Sequence, residues 1–268
     1  SGAYGSEPCR PLARLAPADL VIFDHGESNL YRIEQTLRRS FPDLRLVARL
    51  GDVTDRLAVE RAMLEARPDI LFHAAAYKHV PLLQGQARQA VRNNVIGTRI
   101  VAEAACAAGV RQFVLISTDK AVRPTNVMGA TKRAAEKLVQ SLNGDGGTRF
   151  ITVRFGNVLD SAGSVVPLFR EQIRGGGPVT VTHPEVTRYF MTIPEACQLI
   201  MQAAAVGQGG EIFVLDMGEP VSIRYLAEQM IRLSGKRVGE DVAIDYVGLR
   251  PGEKLTEELF LEDERPTP

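Results

Sequence analysis

The sequence predicts an α/β fold, with a Rossmann-like, doubly wound parallel sheet and helices on both faces. Short apolar runs alternate with longer helical patterns up to Phe155, and this alternation is typical of βαβ units. The apolar run Phe113–Ile116 is followed at once by the hydroxyl and charged residues 117–120. Ligands of open α/β sheets bind outside the carboxyl ends of the strands, so we expect the functional site there.

Five short apolar runs are predicted as strands of this sheet: Leu20–Asp24, Leu44–Gly51, Ile70–Ala75, Phe113–Ser117 and Phe150–Phe155. The longer segments between them have helical periodicity and are predicted as helices: Leu30–Ser40, Arg56–Ala66, the alanine-rich Ala87–Ala108, and Val127–Leu142. We expect right-handed crossovers between successive strands.

After Phe155 the alternation weakens, although several elements are still indicated. They are a turn at 175–178, a strand at Val179–Thr182, a helix at Pro194–Ala205, a strand at Ile212–Asp216, and a helix at Ile223–Ser234 that Gly235 ends. The polar tail over 263–268 is expected to fray. We therefore predict a nucleotide-binding lobe over residues 1–155 and a smaller, interleaved C-terminal substrate lobe over 156–268.

Composition excludes several classes of protein. Lysine plus arginine (32) balances aspartate plus glutamate (32), so no basic face is forced and no nucleic-acid partner is expected. Cys9, Cys106 and Cys197 lie far apart and match no metal-ligand spacing, which suits a reducing compartment. No apolar run approaches the ~20 residues of a membrane span. We expect a cytoplasmic protein with no metal site and no membrane segment in this chain.

Residues near the amino terminus predict a dinucleotide site. Gly2 and Gly5 precede the first helix, and Asp24 ends the next strand, at the spacing that lets a carboxylate bind ribose hydroxyls. A carboxylate there repels a 2′-phosphate, which favours NAD over NADP. Asp52 and Val53 end the following strand, where the carboxylate can meet the adenine amino group. The alternative role for Asp52 is to cap the helix that follows.

The stretch after the third strand predicts one wall of the same crevice. The small Ala74 and Ala75 let the backbone approach a cofactor closely, and Lys78 and His79 would project into the crevice. We interpret His73 as a structural histidine. No pair of histidines has metal-ligand spacing, and no Gly-x-Ser-x-Gly nucleophile elbow occurs.

The run from Ser117 to Lys132 is the most informative part of the chain. Met128 and Lys132 are four residues apart and therefore share one face of the helix that begins near Asn126. A tyrosine four residues before a lysine, with a serine or threonine at the preceding strand end, is the signature of short-chain dehydrogenases/reductases. Here Met128 takes the place of the tyrosine and cannot carry a proton.

Taken together, the motifs resemble those of the UDP-N-acetylglucosamine 4,6-dehydratases of bacterial capsule, lipopolysaccharide and glycoprotein synthesis. This is the CapD-like branch of the extended short-chain dehydrogenases/reductases. The segments that carry the resemblance are HAAAYKHVPL (73–82), NNVIGT (93–98), STDKAVRPTNVMGATKR (117–133), RFGNVL (154–159), GSVVPLF (163–169), TRYFMTIPEA (187–196) and LRPGEKLTEELF (249–260).

The resemblance implies a reaction in which hydride leaves sugar carbon-4 for NAD, water is lost across carbons 5 and 6, and hydride returns to carbon-6. It implies that Lys120 removes the carbon-5 proton, Asp119 protonates the departing carbon-6 hydroxyl and Thr118 binds the carbon-4 oxygen. Lys132 would hold the nicotinamide ribose. The methionine form, with Met128, implies retention at carbon-5 and leaves open which group deprotonates the carbon-4 hydroxyl.

The resemblance further implies a UDP-N-acetylhexosamine substrate held by Lys78, Asn157, Arg188, Arg250 and Glu253, and a homo-oligomer. Longer members of the family carry an amino-terminal membrane region, so this chain as the cytosolic domain of an inner-membrane protein stays an open alternative. The exact hexosamine also stays open.

Two departures from the family pattern, and one proline in the first helix, bear on this interpretation. Relatives carry an apolar strand and a first glycine before the position of Gly2, so the first strand is expected to be missing from this chain, with weak NAD binding unless residues precede it. Asp160 stands where the family usually has glycine, and Pro11 is expected to kink the first helix.

Two other functions stay open: a nucleotide-sugar 4-epimerase, and a catalytically inactive module that binds NAD or UDP-sugar.

Overall fold

The computed structural model describes residues 9–144, 147–161, 163–262 and 264. Its strands are β1 (Asp19–Asp24), β2 (Arg45–Leu50), β3 (Ile70–His73), β4 (Gln112–Ile116), β5 (Arg149–Arg154), β6 (Asn157–Val158), β7 (Val179–Val181), β8 (Thr187–Arg188), β9 (Phe190–Met191), β10 (Ile212–Val214), β11 (Val221–Ser222) and β12 (Ile244–Tyr246).

Its helices are α1 (Cys9–Arg14), α2 (Glu27–Ser40), α3 (Arg56–Ala66), α4 (Val80–Gln84), α5 (Ala87–Val91), α6 (Thr98–Ala107), α7 (Val127–Ser141), α8 (Val165–Arg174), α9 (Ile193–Val206) and α10 (Ile223–Leu233). A π-helical turn, Arg92–Gly97, joins α5 to α6, and a 3₁₀ turn, Asp119–Ala121, follows β4.

Parallel strands form the centre of the fold, and the predicted α/β class is confirmed. One sheet has the order β10-β5-β4-β3, and a second pairs β1 with β2; both are parallel. A doubly wound sheet places its central strand between two such groups. None of the described residues forms a strand at that position.

The apolar character of β4 follows from burial on both of its faces. Phe113 and Leu115 pack into a cluster with side chains of α3, α6 and α7. Val114 points the other way and packs with side chains of β5 and α9. Because successive side chains of a strand alternate between faces, burial on both faces favours apolar residues over 113–116. Gln112, the first residue of β4, is polar but buried, and its side-chain amide donates to Ala204 O at 2.6 Å. The polar residues from Ser117 onward lie at the carboxyl edge of the sheet.

The second half of the chain both joins this sheet and builds a core of its own. Strand β10 pairs with β5, and Ile200 and Ala203 of α9 pack against the sheet. A separate cluster contains Phe169 of α8 and Ile231 of α10 with β7 and the segment after it. The lobe boundary expected at Phe155 stays a prediction.

Several element boundaries differ from the prediction for local reasons. The helix predicted over Ala87–Ala108 contains the π-helical turn, and α4 and α8 were not predicted.

The cap of α3 is Asp55, whose side chain accepts a hydrogen bond from Ala58 N. The capping role considered for Asp52 is therefore wrong. Helix α1 continues through Pro11 over its described residues.

A buried ion-pair network holds the carboxyl end of the sheet to α7. Arg154 and Glu136 are each 0% exposed, and the guanidinium donates to both carboxylate oxygens, at 3.2 and 2.9 Å. Ser117 Oγ also donates to Glu136, at 2.5 Å. Glu264 accepts from Arg154 at 2.7 Å and from Arg133 at 2.8 Å. The expected fraying is therefore wrong for Glu264, and the rest of that tail lies outside the described residues.

We predict that Glu264→Gln lowers the free energy of unfolding by about 1.5 kcal/mol at pH 7, the usual worth of hydrogen bonds to a charged group. Burial raises the pKa of Glu264, but hydrogen bonds from Arg154 outweigh it and lower this pKa from 4.5 to about 2. The carboxylate therefore stabilises the fold above pH 4.5, and this stabilisation is lost as the pH falls towards 2.

Urea unfolding between pH 7 and the acid range would measure both effects. Glu262→Gln is the matched control, because Glu262 is 91% exposed and pairs only with Arg123 in the described residues. A Glu264→Gln protein as stable as the control at neutral pH would contradict the structural role assigned to Glu264.

Candidate active site

The 3₁₀ turn after β4 places three polar side chains at the carboxyl edge of the sheet. Thr118 begins the turn, and its Oγ1 accepts a hydrogen bond from Lys120 N at 3.4 Å. The turn lies directly on α7, because a Cβ on Gly129 would overlap the backbone carbonyl oxygen of Lys120. Only glycine permits this approach, so the helix fixes the position of the turn.

Four side chains meet at this turn in one hydrogen-bonded group. Lys120 Nζ donates to Asp119 Oδ1 at 3.0 Å and to Asn157 Oδ1 at 3.1 Å. Thr118 Oγ1 donates to Asp119 Oδ1 at 2.9 Å. The structure thus brings together a hydroxyl, a carboxylate and an amine, which are groups that can exchange protons.

The three predicted catalytic residues of this turn differ in how far they are enclosed. Asp119 is 0% exposed, and its Oδ2 has no hydrogen-bond partner among the described residues. Thr118 and Lys120 are half-buried. The Asp119 carboxylate is therefore enclosed behind two neighbours that are partly open to the crevice.

A second carboxylate, missed by sequence reasoning, lies beside Lys120. Glu257 is 4% exposed, and its Oε1 lies 3.9 Å from Lys120 Nζ. Burial raises the pKa of Glu257, and the nearby Lys120 opposes that rise. The sequence shows two adjacent glutamates, Glu257 and Glu258, and gives no signal for which one is buried.

Met128 and Lys132 were predicted to share one face of a helix, and both are buried on α7. Lys132 Nζ donates to Ile116 O at 2.6 Å, and burial lowers the pKa of Lys132 to about 8, against the effect of Glu136. It is therefore mainly cationic at neutral pH. Met128 is 3% exposed and packs with Leu83, so it shapes the crevice through packing.

The crevice wall after β3 is held by the π-helical turn. Asn94 accepts from Tyr77 N at 2.8 Å and donates to Tyr77 O at 3.1 Å. Asn93 donates to Ala75 O at 3.0 Å. Both asparagines are buried. Sequence reasoning missed them as site-forming residues, although their segment, NNVIGT (93–98), was among those that carry the family resemblance. Lys78 is half-buried in this wall, and burial lowers the pKa of Lys78.

This wall lines a cavity of about 440 Å³ together with residues of α4 and α5. His73 lies behind it, with Nε2 at 2.9 Å from Thr98 Oγ1. Burial and the charge of Lys132 lower the pKa of His73 to about 3. The neutral, hydrogen-bonded ring agrees with a structural role for His73.

The other residues predicted to bind the cofactor are dispersed around the edge of the sheet. Asp24 is half-buried at the end of β1 and accepts from Gly26 N at 2.6 Å. Asp52 is exposed and accepts from Thr54 N at 2.8 Å. The Val53 side chain packs into the core, so only its backbone can face a ligand. Ala74 follows β3. Gly2 and Gly5 lie outside the described residues.

Two of the residues predicted to bind substrate pair with each other. Arg188 is 6% exposed, and its guanidinium donates to Glu253 Oε1 at 2.9 Å and to Leu255 O at 3.1 Å. Glu253 also accepts from Thr182 Oγ1 at 3.0 Å. The Arg250 side chain is exposed. Arg188 thus holds the 250–257 segment, whereas Arg250 points its charge to the surface.

Asp160, the departure from the family's glycine, has φ +60°. Glycine reaches this left-handed conformation without cost, and aspartate is one of the few other residues that tolerate it. Its carboxylate pairs with Arg170 at 3.1 Å, which holds the side chain on the surface.

Among the described residues, no group of three or more His, Cys, Asp or Glu residues is arranged to hold a metal ion. None of the helices described is both long and apolar enough to cross a membrane. The absence of a metal site stays a prediction.

Known proteins share this sequence over nearly its full length. The family model described as "Polysaccharide biosynthesis protein" matches residues 1–268. Capsular polysaccharide biosynthesis protein CapD of Staphylococcus aureus is 54% identical over 265 residues, which cover 98% of this chain and 44% of CapD. The probable polysaccharide biosynthesis protein EpsC of Bacillus subtilis is 50% identical over 264 residues, 98% of this chain and 44% of EpsC. The chain therefore spans less than half the length of these relatives.

The fold is shared as well. The crystal structure of Pen from Bacillus thuringiensis matches with a TM-score of 0.90 at 35% identity, covering 98% of this chain and 81% of Pen. Sequence motifs, fold and relatives agree, and the chain belongs to the polysaccharide biosynthesis protein family, in the CapD-like branch of the extended short-chain dehydrogenases/reductases.

Proposed function

We propose that the chain catalyses NAD-dependent 4,6-dehydration of a UDP-N-acetylhexosamine for bacterial surface-glycan synthesis. UDP-N-acetylglucosamine would give a UDP-4-keto-6-deoxy sugar with the carbon-5 configuration retained. The observation that carries the proposal is the Thr118–Asp119–Lys120 turn, in which an acid and an amine lie 3.0 Å apart at a strand end. A 4-epimerase has no use for this added acid–amine pair.

The residues at the sheet edge fit NAD. Asp24 presents a half-buried carboxylate at the end of β1, suited to ribose hydroxyls. Lys132 presents a buried cation beside the end of β4, and the small Ala74 and Ala75 leave room for a close approach. When bound, NAD supplies the site that accepts hydride from the sugar and returns it.

Met128 cannot act as a base, and the structure offers another route for the carbon-4 hydroxyl proton. Thr118 Oγ1 would accept this proton as its own passes to Asp119 Oδ1, 2.9 Å away. Asp119 would then give the proton to the departing carbon-6 hydroxyl, which leaves as water. This step requires the enclosed carboxyl group to open towards the bound sugar.

Lys120 would remove the carbon-5 proton and later return a proton to the same carbon. Because one amine serves both steps from one side of the ring, the configuration at carbon-5 is retained. The protons balance: the carbon-4 hydroxyl proton leaves with the water, and Lys120 ends each turnover as it began.

The diphosphate of the substrate would be bound by Arg250, whose exposed guanidinium can bind two oxygens at once. Asn157, which accepts from Lys120 Nζ at 3.1 Å, and the half-buried Lys78 would be further polar contacts for the substrate. Glu253, held by Arg188 at 2.9 Å, would position the 250–257 segment around the nucleotide.

We predict that Asp119→Asn and Lys120→Met each reduce turnover by at least ~10²-fold, because each removes a proton-transfer group. Met128→Ala should retain more activity than either, since methionine contributes packing only. Turnover is measured with UDP-N-acetylglucosamine and added NAD, and mass spectrometry of the product identifies the reaction.

The three functions give different results in this assay. Loss of one water from the sugar supports dehydration, an unchanged mass with a new configuration supports epimerisation, and binding without turnover supports an inactive module. Near-normal rates in Asp119→Asn or Lys120→Met would contradict the proposed roles.

We also predict that Gly129→Ala reduces turnover by at least ~10-fold, although alanine is favoured over glycine in most helices. The added methyl group would overlap the Lys120 carbonyl oxygen and displace the turn, and displacements of about 1 Å are costly in catalysis. Gly85→Ala is the matched control, because a Cβ on Gly85 meets nothing within 4 Å. Equal activities of the two variants would show that the contact with α7 does not position the turn.

A further inference from the structure

Glu257 has no role in the proposed proton transfers, yet it is enclosed beside their base. It is 4% exposed in the segment that Arg188 holds against β8. The charged groups that face it are Lys120, Asp119, Arg188 and Lys254. A glutamate that interacts only with solvent would not be buried here, since burial of a carboxylate is unfavourable without a partner.

Lys120 is therefore in contact with two carboxylates. Its Nζ lies 3.0 Å from Asp119 Oδ1 and 3.9 Å from Glu257 Oε1. Each negative charge near an amine favours the ammonium form. The proposed chemistry instead requires a neutral amine, because only the unprotonated nitrogen has a lone pair for the carbon-5 proton.

Asp119 takes part in the chemistry directly, through Thr118 and the carbon-6 hydroxyl. Glu257 has no such path in the described structure, and its carboxylate approaches the reacting groups only through Lys120. An effect of Glu257 on the carbon-5 proton transfer would then pass through the protonation or position of that amine.

We infer that Glu257 is a positioning residue for Lys120: its carboxylate binds the Lys120 ammonium and sets the pH at which Lys120 becomes a neutral base. The expected effect of Glu257 on turnover rests on the proposed function. The contact between Glu257 and Lys120 does not depend on that function. Burial raises the pKa of Glu257, so its charge changes closer to neutral pH than that of an exposed glutamate.

The first test is the pH dependence of turnover in Glu257→Gln. Glutamine keeps the shape but removes the charge, so we expect the rising limb of the pH–rate profile to move to lower pH by about one unit. A purely structural Glu257 would lower the rate at every pH and leave the limb in place, and that result would overturn the inference.

Glu258→Gln is the matched control. Glu258 is the next residue, its side chain is 40% exposed, and it pairs with Arg123 at 3.0 Å and Lys254 at 3.3 Å on the surface. We expect its profile to follow the wild type. If Glu257→Gln does not fold, Glu257→Asp keeps the charge one methylene farther away, and the limb should move in the same direction by less.

The second test does not use turnover. Lys120 is 17% exposed, so a small amine-modifying reagent can reach it, and peptide mass spectrometry can follow its labelling against pH. The labelling midpoint of Lys120 should fall in Glu257→Gln by the same amount as the limb, while the exposed Lys137 serves as an internal reference and stays unchanged. An unmoved Lys120 midpoint would overturn the inference.

The two tests separate failure of the inference from failure of the proposed function. A wild-type chain that forms no dehydrated product, with a Lys120 midpoint that still moves in Glu257→Gln, would overturn the dehydratase and support the Glu257–Lys120 contact. A chain that forms the product, with an unmoved midpoint, would overturn the inference alone.

Discussion

The buried ion pair between Arg154 and Glu136 is the constraint on which the rest of this site depends. Both side chains are fully enclosed, and the guanidinium binds both carboxylate oxygens. One partner belongs to β5 and the other to α7, so the pair locks a helix to the sheet. Removing one partner of such a pair leaves a buried charge, which typically costs 3–5 kcal/mol. Ser117 Oγ also donates to Glu136. This contact joins the end of β4, where the 3₁₀ turn begins, to the same ion pair.

The close contact between α7 and the 3₁₀ turn fixes the position of the turn as well. Gly129 touches the backbone of Lys120, and three residues later Lys132 binds the last carbonyl of β4. Thr118, Asp119 and Lys120 are therefore positioned by a rigid helix and not by a free loop. Such preorganisation is what acid–base chemistry requires, because a misplacement of about 1 Å can reduce the rate by about 10²-fold.

The sequence predicts those parts of the molecule that have a local signature. The apolar run of β4, the helix start at Asn126 and the polar turn between them all follow from periodicity and capping, and the structure has them where expected. The contacts that join distant segments carry no such signature. Glu257 meets Lys120 across more than a hundred residues of chain, and nothing in the pair Glu257–Glu258 distinguishes the buried residue from the exposed one.

In the proposed function, Lys120 and Asp119 remove water from carbons 5 and 6 of a UDP-N-acetylhexosamine. The most direct measurement is the mass spectrum of the product formed from UDP-N-acetylglucosamine and NAD in deuterated water. We predict a product that has lost one water and gained deuterium at carbon-5, because the Lys120 amine exchanges its hydrogens with solvent before it returns one. A product that retains all its oxygens, or one that has lost water with no deuterium at carbon-5, would contradict it.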